Sequence, residues 1–152
     1  MLFRSERVAV LYIDLDNFKQ VNDTFGHDAG DRLIIEAVRR IREAAGSHSG
    51  MLRLGGDEFA VFLRDDHAGL SARAAAKRAI ADVSRPIDVG VGVGFVSASV
   101  GIAFVARDDA DYVDALHRAD LAMYQAKQEG KNRYAIYSTE LEVETEIGRA
   151  HV

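Results

Sequence analysis

The sequence predicts an α+β domain built on a mixed, mainly antiparallel central sheet flanked by helices. Short apolar runs stand in pairs around turn residues, which is the pattern of antiparallel hairpins. Longer stretches with apolar residues at helical spacing lie between those pairs. The 152 residues suit one compact domain with a hydrophobic core of its own.

Each predicted element follows from a local pattern. A continuous apolar run that ends in charge predicts a buried first strand. Two apolar runs around a Gly-Gly-Asp-Glu turn predict a hairpin, and Ser71 is the expected N-cap of the helix that follows it. In order, the elements are a strand at 8–13, helices at 17–25 and 31–45, strands at 51–54 and 59–63, a helix from Ser71 to before Pro86, a second hairpin within 89–105, a helix at 111–127 and a strand at 134–137.

The order of these elements suits a ferredoxin-like or polymerase-palm sheet better than a doubly wound parallel one. Helices are expected to cover one side of that sheet. Residues 1–137 are interpreted as the domain, and residues 138–152 as an acidic tail or linker.

Composition and charge exclude several classes of function. The chain has no cysteine and a formal net charge of -5. Thiolate chemistry is excluded, and a reducing, cytoplasmic location is expected. Without a cluster of basic residues, binding to nucleic acid is not expected. No apolar run approaches the roughly 20 residues that a membrane span requires, so no membrane contact is expected.

Acidic residues stand at two predicted strand ends. Asp14 and Asp16 follow the first strand, and Asp57 and Glu58 occupy the turn of the first hairpin. If the hairpin pairs beside the first strand, these carboxylates converge, and clustered carboxylates favour a cation such as Mg²⁺ or Mn²⁺. Solvated loop acids remain the alternative interpretation of such a pattern.

Three segments carry a resemblance to a known family. They are YIDLDNFKQVNDTFGHDAGD at 12–31, RLGGDEFAVFL at 53–63 and RADLAMYQAKQEGKNR at 118–133. In order and spacing they resemble the signature segments of GGDEF domains, and the resemblance covers about residues 7–137. It implies the palm-like fold of nucleotide cyclases and the activity of a diguanylate cyclase, which condenses two GTP molecules into cyclic di-GMP and pyrophosphate.

The resemblance also implies a role for each matching position. Asp14, Asp57 and the carbonyl of Leu15 would bind Mg²⁺ or Mn²⁺, and Asp57 and Glu58 would be the catalytic residues. Gly55 and Gly56 would leave room for the nucleotide. Asn22 and Asp31 would read the guanine. The residues implied at the phosphates are Asn17, Phe18, Lys19, Lys127 and Lys131.

Some of these residues have a structural alternative. Lys127 and Lys131 could stabilise a helix end, Asn22 could be a helix surface residue, and Asp31 could be an N-cap. Many family members carry an Arg-x-x-Asp inhibitory product site where this chain has Gly46-Ser47-His48-Ser49. That site is therefore expected to be missing here.

The implied partners are GTP, a second GGDEF domain in a homodimer, and sensory or phosphodiesterase domains in the full-length protein. One alternative is a regulatory module that binds GTP and controls an attached phosphodiesterase without making product. Another is a different palm-type nucleotidyl transferase or nucleotide cyclase.

Overall fold

The computed structural model describes residues 7–65, 69–106 and 111–138. These residues form a five-stranded sheet, a two-stranded ribbon and four α-helices, which confirms the predicted α+β class. The predicted tail lies outside the described residues except for Ser138. In chain order the elements are β1 (Arg7–Asp16), α1 (Phe18–Phe25), α2 (His27–Ala45), β2 (Ser49–Arg53), β3 (Glu58–Arg64), α3 (Leu70–Val83), β4 (Ile87–Asp88), β5 (Val93–Gly94), β6 (Ser97–Ala106), α4 (Tyr112–Gln128) and β7 (Arg133–Ile136).

Strand β1 is the centre of the main sheet. The strand order is β2-β3-β1-β6-β7, and β1 pairs antiparallel with both β3 and β6. Only the β6–β7 pair among the described strands is parallel, and α4 supplies the crossover that a parallel pair needs. The predicted buried first strand is confirmed, and it runs on to Asp16, so that Asp14 and Asp16 lie within the strand.

Helices cover both faces of the sheet, so the expectation of a single covered side was wrong. Alternate residues of β1 point to opposite faces. Leu11 and Ile13 pack in the larger core with α1, α2 and α3. Val10 packs on the other face, in a smaller cluster with Ala115 and Ala119 of α4. Asp14 and Asp16 have the parity of Val10 and therefore lie on the α4 face.

Small residues bring α4 unusually close to β6. A Cβ placed on Gly101 of β6 would lie 1.9 Å from the Ala119 carbonyl oxygen and 2.2 Å from the Met123 nitrogen. Ala122 and Ala126 of the same helix are also fully buried. The helix backbone therefore rests on the strand itself, and this packing fixes where the last turn of α4 lies. None of the four described helices is long and apolar enough to cross a membrane.

Helix α2 begins at His27 rather than at the predicted residue 31. The segment 26–30 was expected to separate two helices, but Gly30 lies inside α2 and is buried. A Cβ there would lie 1.8 Å from the Asn22 side-chain oxygen. This glycine therefore serves a close side-chain contact instead of a turn. Asp31 consequently lies within the helix and is not its N-cap.

The Ser71 cap and the second hairpin were also wrong. Helix α3 begins at Leu70, and the buried carboxylate of Asp65 accepts hydrogen bonds from the backbone nitrogens of Gly69 and Ala72 at 3.1 and 2.9 Å. An upstream aspartate thus satisfies two amides at the start of the helix, and Ser71 lies inside the helix and not at its N-cap.

The alternating stretch at 89–105 divides between two sheets. Val93–Gly94 pairs with Ile87–Asp88, whereas the ten residues of β6 pair with β1 and β7. Strand β6 is apolar and buried on both faces, so it needs a central place in the sheet and not one in an isolated hairpin.

Candidate active site

The end of β1 and the turn between β2 and β3 meet at one place. Asp14 lies opposite Glu58 in the β1–β3 register, and the Leu15 nitrogen donates to the Asp57 carbonyl oxygen at 3.0 Å. Asp14, Asp57 and Glu58 are thus brought together although more than 40 residues separate them in sequence. The predicted convergence of the two strand ends is confirmed at the level of the backbone.

The surroundings of the Asp14 carboxyl group disfavour its charged form. Burial, the largest cause, together with the negative charges of Asp57 and Glu58 raises the pKa of Asp14 to about 6. Lys127 acts in the opposite direction through its charge and a hydrogen bond. A carboxylate that is desolvated and surrounded by like charge favours a cation at the same place.

Lys127 reaches the carboxylates from the last turn of α4. Its Nζ lies 3.4 Å from Asp14 Oδ2 and 2.9 Å from Asp16 Oδ1. Burial would lower the pKa of Lys127, but its contacts with Asp16 and Asp14 raise it overall, so the amine stays charged. The close packing of α4 on β6 therefore delivers one fixed positive charge beside Asp14.

Asp16 is the most deeply buried acid of this region. Its side chain accepts hydrogen bonds from Ser97, Ser99, Lys127 and the backbone of Asn132. Burial alone would raise the pKa of Asp16, yet the hydrogen bonds outweigh that effect and hold the pKa below its ordinary value. Asp16 thus stays ionised within the protein.

Tyr12 holds Glu58 in place. Its hydroxyl donates to Glu58 Oε1 at 3.0 Å, and burial followed by this hydrogen bond raises the Tyr12 pKa above its ordinary value. Sequence reasoning missed Tyr12. The available signal was its position two residues before Asp14, which places both side chains on one face of β1.

The fold itself gives no reason for glycine at 55 and 56. Neither residue has a positive φ, and a Cβ would meet only Glu58 Oε1 at 3.7 Å from Gly55 and nothing within 4 Å from Gly56. Arg53, which sequence reasoning also missed, donates to both glycine carbonyls at 3.0 and 2.7 Å and shapes the turn. A turn with open space above both glycines can admit a ligand close to its backbone.

The residues implied at the guanine lie beside the α1–α2 corner. The Asn22 side chain packs on Gly30, the neighbour of Asp31, so these two predicted residues belong to one region. Asn17 has a left-handed φ of 68° at the start of α1, and its side chain makes no capping hydrogen bond to the helix that begins at Phe18. The guanine role itself stays a prediction.

Two further predicted lysines are exposed. Lys19 forms an ion pair with Asp23 at 3.1 Å, and the two side chains are 88% and 63% exposed, so this pair contributes little to stability. Lys131 has a left-handed φ of 66° in the turn before β7. Both are available to a phosphate, and their implied roles stay predictions.

The donor set suits a hard divalent cation only if the substrate completes it. Within residues 7–65, 69–106 and 111–138, no group of three or more His, Cys, Asp or Glu side chains is arranged to hold a metal ion. Two carboxylates with one backbone carbonyl leave positions for phosphate oxygens and water, which is how Mg²⁺ is usually bound. Asp14, Asp57 and Leu15 therefore fit a nucleotide-dependent cation.

Gly46, Ser47 and Ser49 line a groove of about 900 Å³ on the outer surface of α2 and β2. Ser49 Oγ donates to the Gly46 carbonyl at 2.7 Å, and neither residue carries a charge. The absence of an inhibitory product site stays a prediction.

Comparison with known proteins decides the family. The sequence matches the family described as diguanylate cyclase, GGDEF domain, over residues 2–133. The chain belongs to the GGDEF family. It is 38% identical over 135 residues to the bifunctional diguanylate cyclase/cyclic di-GMP phosphodiesterase MucR of Pseudomonas aeruginosa. It is 34% identical over 137 residues to the cyclic di-GMP phosphodiesterase PdeR of Escherichia coli.

Solved structures agree with this membership. The GGDEF domain of TpbB from Pseudomonas aeruginosa superimposes with a TM-score of 0.84 at 36% identity, covering 93% of this chain and 83% of that one. The match with MucR covers 89% of this chain and 20% of MucR. The match with PdeR covers 90% of this chain and 21% of PdeR. This GGDEF domain thus spans about a fifth of the length of those two relatives.

Proposed function

We propose that this GGDEF domain is a diguanylate cyclase that condenses two GTP molecules into cyclic di-GMP and pyrophosphate. The observation that carries the proposal is the junction of Asp14 and Asp57 through the Leu15–Asp57 backbone bond, with the Lys127 amine 3.4 Å from Asp14. The carboxylates of Asp14 and Asp57 and the charged amine of Lys127, beside a glycine turn, form a site for a metal-bound triphosphate. The TpbB relative is named a diguanylate cyclase and is 39% identical over 127 residues.

Each part of the site has a chemical task in this reaction. Asp14, Asp57 and the Leu15 carbonyl would hold Mg²⁺ or Mn²⁺, which when bound neutralises phosphate charge and lowers the pKa of a nearby hydroxyl. Lys127 and Lys131, with the amides at the start of α1, would bind phosphate oxygens. Glu58, oriented by Tyr12, would assist at the reacting centre.

The reaction joins two nucleotides. The 3'-oxygen of one GTP loses its proton and attacks the α-phosphorus of the other, while the bond to the β-phosphate breaks and pyrophosphate leaves. A second, reciprocal attack on the other α-phosphorus closes the ring and releases a second pyrophosphate. With one GTP on each domain, two domains must face each other, and much of the rate enhancement comes from that positioning. Activity should therefore rise more steeply than protein concentration.

The test is product formation from GTP and Mg²⁺ at high protein concentration, followed by mass spectrometry. Wild type should yield cyclic di-GMP and Asp57→Ala should yield none. The matched control is Glu43→Ala, which removes an exposed carboxylate that pairs with Arg39 on the outer surface of α2. Control activity close to wild type ties the loss to the site, whereas full activity of Asp57→Ala would refute the assignment.

A second candidate is a domain that binds GTP and regulates an attached phosphodiesterase without making product. The name of PdeR, a phosphodiesterase with a matching segment, favours it. It predicts GTP binding with no cyclic di-GMP at any protein concentration. A product from ATP, or a linear oligonucleotide, would instead indicate a different palm-type nucleotidyl transferase. We also propose that the full-length protein carries sensory or phosphodiesterase domains, as the name bifunctional MucR suggests.

A further inference from the structure

Asp16 joins three separate segments of the chain through one carboxylate. Oδ2 accepts from Ser97 Oγ at 2.7 Å and from the Asn132 backbone nitrogen at 3.2 Å. Oδ1 accepts from Ser99 Oγ at 2.8 Å and from Lys127 Nζ at 2.9 Å. The donors come from β6, from the end of α4 and from the turn that precedes β7. One buried side chain of β1 therefore connects this strand with β6, with the end of α4 that carries Lys127 and with the turn that carries Lys131.

These four contacts leave Asp16 nothing to offer a ligand. An ionised carboxylate has about four acceptor positions, and each of the four donors occupies one. The residue is 1% exposed, so neither a nucleotide nor a cation can reach it without displacing a partner. Asp14 differs, because its side chain is 14% exposed and can be reached by a ligand. Lys127 contacts both acids. Although they are only two residues apart, Asp14 can contact a ligand, whereas Asp16 contacts only the protein.

The turn held by Asp16 has an unfavourable backbone conformation. Gly130, Lys131 and Asn132 have φ values of 125°, 66° and 51°. Non-glycine residues rarely adopt such angles, and these conformations persist only where the surroundings enforce them. The Asn132 nitrogen is fixed by Asp16, and the Lys131 nitrogen donates to the Ala126 carbonyl at 3.0 Å. Asp16 thus holds the turn that presents Lys131.

We propose that Asp16 is a positioning residue for the phosphate-binding lysines: it orients Lys127 and stabilises the turn of Lys131 without touching nucleotide or metal. The proposal rests on the proposed function for the identity of the ligand, a nucleoside triphosphate. Its structural part, the control of Lys127 and of the 130–132 turn, stands independently of any activity.

The decisive variant is Asp16→Asn, which keeps the shape, removes the charge and places an amide donor among donors. Affinities for a non-hydrolysable GTP analogue and for GMP are measured with Mg²⁺ by NMR titration. Affinity for the triphosphate should fall at least about tenfold, because charge-assisted contacts to it are lost. Affinity for GMP, which depends more on the base, should change less than about threefold. Equal losses for both ligands would overturn the proposal.

The matched control is Asp65→Asn. Asp65 is also fully buried and accepts two backbone hydrogen bonds, but it lies at the opposite end of the sheet, where its nitrogen donates to the Arg7 carbonyl. This variant should lower thermal stability and leave the ratio of triphosphate to GMP affinity unchanged. A shifted ratio in the control would show that any buried aspartate has this effect, and would also overturn the proposal.

Two further measurements keep the proposal falsifiable. Ser99→Ala removes one donor and keeps the carboxylate, so it should show the same selective loss at about threefold and decides the matter if Asp16→Asn does not fold. In a double-mutant cycle with Lys127→Met, the combined loss should be smaller than the product of the single losses. If the loss of affinity in the double variant equals the product of the two single losses, Asp16 does not act through Lys127.

Hydrogen exchange separates this proposal from the proposed function. Without nucleotide, the Asn132 amide should exchange at least about tenfold faster in Asp16→Asn than in wild type, because a neutral amide with a single acceptor oxygen replaces the charged carboxylate that four donors share. Unchanged exchange would overturn the positioning role. A wild-type domain that binds neither nucleotide would contradict the cyclase assignment, while the exchange result would still decide the role of Asp16.

Discussion

Gly101→Ala should destabilise the domain strongly, because the packing of α4 on β6 leaves no room for a methyl group. The added Cβ would lie 1.9 Å from the Ala119 carbonyl oxygen and 2.2 Å from the Met123 nitrogen, both backbone atoms of α4. Ordinary contacts require more than 3 Å, so the helix must retreat by at least about 1 Å from a close-packed face. Overpacking of this kind costs about 3 kcal/mol of the free energy of unfolding.

Urea denaturation followed by circular dichroism measures this loss. With a slope of about 2 kcal/mol per M, the midpoint should fall by about 1.5 M. Gly50→Ala is the matched control, since Gly50 is also a strand glycine but a Cβ there meets nothing within 4 Å. Its stability should stay within about 0.5 kcal/mol of wild type. A Gly101→Ala loss below about 1 kcal/mol would refute the packing argument.

Three other substitutions have defined outcomes. Arg40→Ala should cost about 2 kcal/mol in the same denaturation assay, because the buried guanidinium donates to three backbone carbonyls in the last turn of α3 and just after it. The control Arg42→Ala, at an exposed position of α2, should cost nothing measurable. Tyr12→Phe should lower kcat about tenfold with little change in KM for GTP, since it frees Glu58; an unchanged kcat would contradict the orienting role. Gly56→Val should leave the urea midpoint unchanged and raise KM for GTP at least about tenfold, and a normal KM would show that the open space serves no ligand.

Local patterns were enough to predict much of the sheet and the helices. The apolar run at β1, the paired runs around Gly55 and Gly56, and the periodic stretch of α4 each reflect the environment of that one element. The start of α2 could not be predicted in this way, because Gly30 is needed for a contact with Asn22 and not for a turn. The cap of α3 failed for a similar reason, since Asp65 lies outside the helix it caps.

Some contacts of the site could be predicted from the sequence and others could not. Asp14 and Asp57 could be placed together in advance only on the condition that the hairpin pairs beside the first strand, and the family resemblance implied the same pair. The antiparallel pairing of β1 with β3 meets that condition. The network of Asp16 could not be predicted, since its four donors lie 81 to 116 residues away in sequence. Their convergence depends on the β6 register and on how closely α4 packs, and neither leaves a local signal.

The central claim is that Asp14 and Asp57 share one divalent cation that holds GTP. Electron paramagnetic resonance titration of Mn²⁺ with a non-hydrolysable GTP analogue tests it in wild type, in Asp14→Ala, in Asp57→Ala and in the double variant. A shared ion predicts that each single change weakens Mn²⁺ binding at least about tenfold and that the double change adds little. Mn²⁺ binding of wild-type strength in either single variant would contradict the claim.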